Sequence, residues 1–284
     1  MSRIWSTAQQ LEELTYELVG WNSVTGTSAE TEFSYRLKNL MERVPYFKDH
    51  PELLTLHPAE TGRQSLTALY RCKDTSVMDT VVLISHFDTV NMDDYGEFEP
   101  LALDPVALTN KFKQEAEQEQ GQLKKDILSD EYIFGRGIMD MKSGLAQHIQ
   151  LLDEAIHERL PINLLLITVH DEESDSEGIR TVVPMLKKFA VEYQLNFRLF
   201  LNAEPSFPMF EQDDVQYIYS GSMGKLMPAV VVRGKGTHAG DSQRALSAPY
   251  ILSFITQKWS GTKNSLIHTK VKPHHFQPRY PAGI

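Results

Sequence analysis

The sequence predicts an α/β protein, on three observations. Val81-Val82-Leu83-Ile84 is a continuous apolar run of the kind buried on both faces of a helix-covered sheet, Leu164-Leu165-Leu166-Ile167-Thr168-Val169 is a second continuous apolar strand, and Phe197-Arg198-Leu199-Phe200-Leu201 a third. Segments of helical periodicity alternate with them, around residues 6–19, 28–44, 145–156 and 178–190. Each run also ends in histidine or acidic residues: Ser85-His86-Phe87-Asp88, His170-Asp171-Glu172-Glu173 and Asn202-Ala203-Glu204. In open α/β sheets that end of the strands is where ligands bind.

The bulk composition narrows the class. With 284 residues, 41% hydrophobic and 23% charged, the chain has the means to bury a core. A net charge of −10 argues against nonspecific binding to nucleic acid or to an anionic membrane. The single cysteine, Cys72, excludes an internal disulfide and suits a reducing cytosol. No apolar run approaches the roughly 18 residues of a membrane span, and the N-terminus lacks a secretory apolar segment, so a cytoplasmic location is expected.

In order along the chain, Leu11, Leu14, Leu18 and Val19 mark a first helix that Gly20 would stop. Thr27 with Glu30 resembles a capping box opening a second helix, which carries Phe33, Leu37, Leu40, Met41 and Val44 up to Pro45. Residues 53–57 and 65–71 read as strands around the Thr61-Gly62-Arg63 turn, with Leu66, Ala68 and Tyr70 alternating against polar neighbours. Residues 91–130 form an acidic, Gln-rich insertion over one end of the sheet, with residues 111–125 a solvated helix or mobile excursion. Tyr132-Ile133-Phe134 is a short strand into the glycine-rich turn Gly135-Arg136-Gly137-Ile138-Met139-Asp140-Met141-Lys142-Ser143-Gly144, and Pro161 closes the helix that follows. Beyond about Ser220 the pattern changes: a strand at Val230-Val231-Val232, a loop at residues 234–240 and a helix at 248–259 look like the start of a second α/β unit. The domains are therefore expected at 1–221, with the insertion at 91–130, and at 222–284.

The acidic and histidine residues suggest metal chemistry. Two divalent ions need a shared carboxylate, further N or O ligands, and a nearby carboxylate free to take a proton from water. His86, Asp140, Glu173 and Glu204 are candidate ligands, Asp140 the candidate bridge and Glu172 the candidate base. Asp88, two residues after His86, projects to the same side of an extended segment and would orient the imidazole. Each piece has a plainer reading: a satisfied His–Asp pair, a helix-capping Asp140, acids favoured by a helix N-terminus, and a Glu204-Pro205 turn. Their occurrence in this order, each after a strand, is harder to explain that way.

The combination resembles the M20 family of metallopeptidases and the aminoacylase-like amidohydrolases, through Ser85-His86-Phe87-Asp88-Thr89-Val90, residues 135–144, Asp171-Glu172-Glu173 and Glu204-Pro205-Ser206. The insertion and the Phe-Gly-Arg-Gly-x-Met-Asp-Met-Lys wording look closest to bacterial arginine-utilisation proteins. The resemblance implies a mixed central sheet flanked by helices, like that of zinc aminopeptidases, and a smaller α/β lid and dimerisation domain. It implies two divalent ions, zinc first with cobalt or manganese as alternatives, hydrolysing an amide bond of a small peptide or N-acyl amino acid. Residue by residue, His86 would hold the first ion with Asp88 orienting it, Asp140 would bridge, Glu172 would carry protons, and Glu173 and Glu204 would each bind one ion. His238 matches a lid histidine that contacts the substrate carbonyl or carboxylate, often across a homodimer; the plainer reading is an exposed loop histidine.

Two departures stand out. After His238 the family pattern of proline, glycine and asparagine is replaced by Ser242, Ala245 and Ser247. The family also supplies a final histidine ligand after the lid, whereas this chain stops at Ile284, and His268, His274 and His275 do not match that ligand's context. The rival expectation is a catalytically incomplete relative or fragment that binds a ligand or partner.

Overall fold

The computed structural model describes residues 3–207, 215, 217–221 and 229–259. Five strands form one sheet: β1 Leu54–Pro58, β2 Gln64–Tyr70, β3 Asp79–His86, β4 Asn163–Val169 and β5 Asn196–Asn202, in the order β1-β2-β4-β3-β5. β1 pairs antiparallel with β2 and β2 with β4, while β3 runs parallel to both β4 and β5, so the sheet is mixed.

All seven residues of β4 are buried, because helices cover both faces. On one face Leu66, Ala68, Leu83, Leu164 and Leu166 pack with α1 (Ala8–Val19), α2 (Ser28–Met41) and α6 (Ser143–Glu158). On the other, Leu69, Val82, Leu165, Ile167 and Val169 meet Val182 and Phe189 of α7 (Glu177–Glu192). The period of two along β4 thus divides one strand between two cores. β2 departs from the expected alternation: Ser65 to Tyr70 are all buried, the polar members lying under α7 or pairing inside, as His57 does with Thr67 Oγ1 at 2.8 Å.

Several local expectations are corrected. The capping box lies at α1, where Thr7 and Gln10 exchange side chain and backbone hydrogen bonds, and not at Thr27. Thr27 Oγ1 instead donates to the Val24 carbonyl at 2.6 Å, and Glu30 is buried in long-range contacts. Pro45 opens the short helix α3 (Pro45–Asp49) and does not end α2, which stops at Met41. The insertion is ordered: α4 (Pro105–Glu115) and α5 (Gly121–Leu128) replace one solvated helix and bury Leu108 and Ile127, with Ala116 buried just past α4. Phe98, Phe112 and Phe134 join it to the chain entering the glycine-rich turn through edge-to-face ring contacts, each 5.2 Å between centroids. Tyr132-Ile133-Phe134 forms no strand; its Phe134 ring packs on Phe112.

The chain forms two compact units, divided between Ile218 and Tyr219. In the second, Val230-Val231-Val232 is not a strand, and Val231 is 86% exposed with no strand beside it among the described residues. Its described order is a bridge between Lys235 and Leu246 and the helix α8 (Ala248–Trp259). No helix among the described residues is long and apolar enough to cross a membrane.

Burial leaves a pH signature. His148 on α6 is 6% exposed, its Nδ1 is 2.7 Å from Ser85 Oγ, and burial pushes its pKa down to about 4. An unfolded histidine takes up its proton near pH 6.5, so the unfolded chain binds more protons between about pH 6.5 and 4. Stability is therefore complete above pH 6.5 and falls toward pH 4, by about 3 kcal/mol for this group. His148→Gln should flatten the pH dependence of urea unfolding across that window; parallel profiles would contradict the assignment.

Candidate metal centre

Backbone register brings the site together before any side chain is considered. β3 and β4 pair in parallel with His86 opposite Val169, and β3 and β5 with Ile84 opposite Asn202. Two residues past the first pairing Asp88 meets the amides of Glu172 and Glu173, and two past the second Glu204 reaches His86.

His86 is 2% exposed. Its Nδ1 is 3.0 Å from the Asp88 carbonyl oxygen, which can only accept, so Nδ1 carries the proton and Nε2 faces outward. Nε2 lies 2.9 Å from Asp140 Oδ1 and 3.6 Å from Glu204 Oε1. The expectation that the Asp88 carboxylate orients the ring is modified: its nearer contact is the backbone carbonyl, with Asp88 Oδ1 at 3.4 Å. The carboxylate instead accepts from the amides of Glu172 (3.1 Å) and Glu173 (3.2 Å) and from Thr25 Oγ1 (2.9 Å). Asp88 thus ties the end of β3 to the acidic loop after β4.

Asp140 reaches His86 from the glycine-rich turn, where its own backbone leaves helical geometry at φ −119°, ψ 98°. It is no cap: α6 begins with Lys142 at its N-cap position and no side-chain cap bond. Two glycines make the turn. Gly137 adopts φ +75°, a left-handed conformation, and a Cβ there would sit 2.7 Å from Thr89 Cγ2. Gly144 lets α6 approach the end of β5 so closely that a Cβ would run into the Ala203 carbonyl, with Ala203 Cβ 2.9 Å away. That approach sets Asp140 beside Glu204. Lys142, fully buried below, donates to the Trp21 carbonyl at 2.8 Å, lies 4.9 Å from the Phe33 ring centre, and has its pKa pushed down to about 7 by burial.

The acids strain against one another. Burial pushes Glu204 up to about 7, and the negative Asp140 adds to the effect against the attraction of His86. Burial also raises Glu173, again with Asp140 as the next contributor. Burial works against a charged His86, yet hydrogen bonds to Asp140 and Asp88 outweigh it and lift the imidazole to about 10. Asp140 is held low, chiefly by its bond to His86. Without a cation, the imidazolium is what balances the carboxylates.

These residues fit a divalent ion. One ligand atom from each of His86, Asp140 and Glu204 lies within 4.8 Å of the others, the one such group among the described residues. Tetrahedral ligands around zinc stand about 3.4 Å apart, close to the separations seen. Glu173, half-buried, lies outside this group, and Glu172 beside it is exposed. His238 belongs to the second unit, exposed, its Nδ1 accepting from Gly240 N at 3.3 Å. His268, His274 and His275 lie outside the described residues. Glu30, Arg63 and Thr25 were not singled out as site residues. Their contacts to the acidic loop and to Asp88 span 63 to 141 residues, and no local motif announces them.

The profile of peptidase family M20/M25/M40 matches residues 82–282, and the chain belongs to that family. Among its relatives are the uncharacterized protein YqjN of Bacillus subtilis, 39% identical over 253 residues covering 89% of this chain and 46% of that one, and protein RocB of the same organism, 32% identical over 260 residues covering 88% and 45%. The chain spans about half the length of the curated relatives it matches. Among solved structures, human carnosine dipeptidase 1 superposes with a TM-score of 0.49 at 12% identity, over 70% of this chain and 39% of that one.

Gly144→Ala tests the packing that builds the site. The added methyl should separate Asp140 from Glu204 and weaken zinc binding by about tenfold or more, as disturbance of supporting groups does, while far-UV circular dichroism stays unchanged. Unaltered zinc affinity in a titration would show that this approach does not set the ligand spacing.

Proposed function

We propose that the protein is a metal-dependent hydrolase that cleaves an amide bond of a small peptide or N-acyl amino acid. The observation carrying this reading is the convergence of His86 Nε2, Asp140 and Glu204 at the C-terminal ends of parallel strands, with Glu172 and Glu173 on the neighbouring loop. His86 and Glu204 would hold one ion, Glu173 a second, and Asp140 would bridge them; zinc suits this donor set, with cobalt and manganese as alternatives. Bound ions polarise the substrate carbonyl and acidify water.

The chain's own residues supply the remainder. Glu172 is exposed beside the acids and bonded through its amide to Asp88. In this reading it takes a proton from the attacking water and passes it to the departing nitrogen, one group acting as base and then as acid. Asp88 holds the backbone of Glu172 and Glu173 and accepts at the base of the His86 ring. Burial and the His86 imidazole act on it in opposite senses, and the imidazole with the two amides prevails, keeping its carboxyl below the usual range. His238, on the second unit, would supply a contact to the substrate carbonyl or carboxylate, in a lid that also forms a homodimer. The resemblance to arginine-utilisation proteins extends the reading to arginine or its acyl and peptide derivatives, handled in the cytoplasm.

The second reading is a catalytically incomplete relative that binds a ligand or partner. It is favoured by the single group of three ligands among the described residues, which leaves Glu173 short of companions. Metal analysis separates the two. The hydrolase reading expects two ions per full-length protein and turnover of some member of a dipeptide and acyl-amino-acid panel; fewer than two ions and no turnover would sink it.

Glu172→Gln should keep both ions and lose about 10²- to 10⁴-fold in kcat, the usual contribution of a positioned acid–base group. Full activity in that variant would reassign the proton carrier.

A further inference from the structure

We propose that Arg63 is a positioning residue for Glu172 and Glu173, acting through Asp171. The proposal rests on the roles given above to those two glutamates. Arg63 lies in the turn between β1 and β2, far in sequence from every chemical motif, yet its side chain is only 15% exposed. Nη1 donates to Asp171 Oδ1 at 2.7 Å and to Glu30 Oε2 at 3.3 Å, and Nη2 donates to Glu177 Oε2 at 2.8 Å. One guanidinium therefore bonds three carboxylates, from α2, from the loop after β4 and from the start of α7.

Those carboxylates fix the backbone that carries the glutamates. Glu30, fully buried, accepts from the Asp171 amide at 2.9 Å through Oε1 and from the Gly26 amide at 2.8 Å through Oε2. Asp171 Oδ2 accepts from the Glu177 amide at 3.0 Å, and the Asp171 carbonyl from the Ser176 amide at 2.6 Å. Asp171 is thereby held at φ +62°, a left-handed conformation that non-glycine residues adopt only where their surroundings enforce it. The next two amides bond to Asp88. Residues 171–173 are thus clamped from two sides, and on one side the cation is Arg63.

The fork is what the geometry requires. A lysine is a point charge and cannot reach Asp171 and Glu177 in two fixed directions at once. Without the fork, Glu30 and Asp171 repel each other in a buried setting, the Asp171 amide is released, and its backbone is free to leave the left-handed region. Glu172 and Glu173 then move with it, and displacement of about 1 Å at reacting groups costs up to 10²-fold in rate.

The test uses the full-length protein, as wild type and as Arg63→Lys, with three readouts. Amide hydrogen exchange of residues 170–177 in the metal-free protein should speed up at least about tenfold in the variant, while exchange in β4 and α6 stays as in wild type. Zinc affinity should fall. In the zinc-loaded enzyme kcat, expressed per folded, zinc-bound molecule, should drop about 10- to 100-fold with KM within about twofold, while the unchanged exchange in β4 and α6 excludes a general loss of stability as its cause. Unchanged exchange at 170–177, or undiminished kcat in a correctly folded variant, overturns the proposal. If Arg63→Lys does not fold, Glu177→Gln removes one arm of the clamp from a side chain 16% exposed, and the same local rise in exchange is expected, its absence again overturning the proposal. A wild type that binds no metal and hydrolyses nothing defeats the hydrolase reading, while the exchange measurement still decides whether Arg63 holds the loop.

Discussion

The parallel register of β3 against β4 and β5 is the constraint on which the rest depends. Pairing His86 with Val169 and Ile84 with Asn202 brings three chain segments out of the sheet side by side. A slip of one residue would turn every inward side chain to the opposite core. The register is packed on both sides: Leu83, Leu164 and Leu166 belong to one face and Val82, Leu165 and Ile167 to the other. The same hydrophobic pattern that folds the sheet therefore decides which carboxylates meet.

What meets is electrostatically unfavourable. Asp140, Glu173 and Glu204 crowd one histidine, and burial with mutual repulsion lifts two of the three acids. Clusters of this kind persist where surrounding structure enforces them and where a cation relieves them. Enforcement is visible in the close approach at Gly144, in Asp88 gripping the amides of Glu172 and Glu173, and in the Arg63 clamp on Asp171. All three act through backbone position.

Much of this was legible in the sequence, in proportion to how local the cause was. The long apolar runs of β3 and β4 exceed any requirement of a surface strand, so their burial and their ligand-bearing ends could be read directly. His86 and Glu204 meet as their positions after strands suggested, while Asp140 joins them from a turn that no strand precedes. Thr27 and Glu30 satisfy the spacing of a capping box, but Glu30 accepts from the Gly26 amide and from the Asp171 amide 141 residues away, not from that of Thr27. Arg63 sits in an ordinary turn, and its partner Asp171 is 108 residues distant, so nothing nearby in the chain marks it. Val230-Val231-Val232 has strand propensity without a neighbouring strand among the described residues, and propensity alone does not make a sheet.

The most direct measurement is an anomalous difference map at the zinc edge from crystals of the full-length protein grown with zinc. The account predicts a peak within bonding distance of His86 Nε2, Asp140 and Glu204, and a second one between Asp140 and Glu173. Zinc peaks remote from Asp140, or none at all, would contradict the claim that these strand ends converge in order to hold metal.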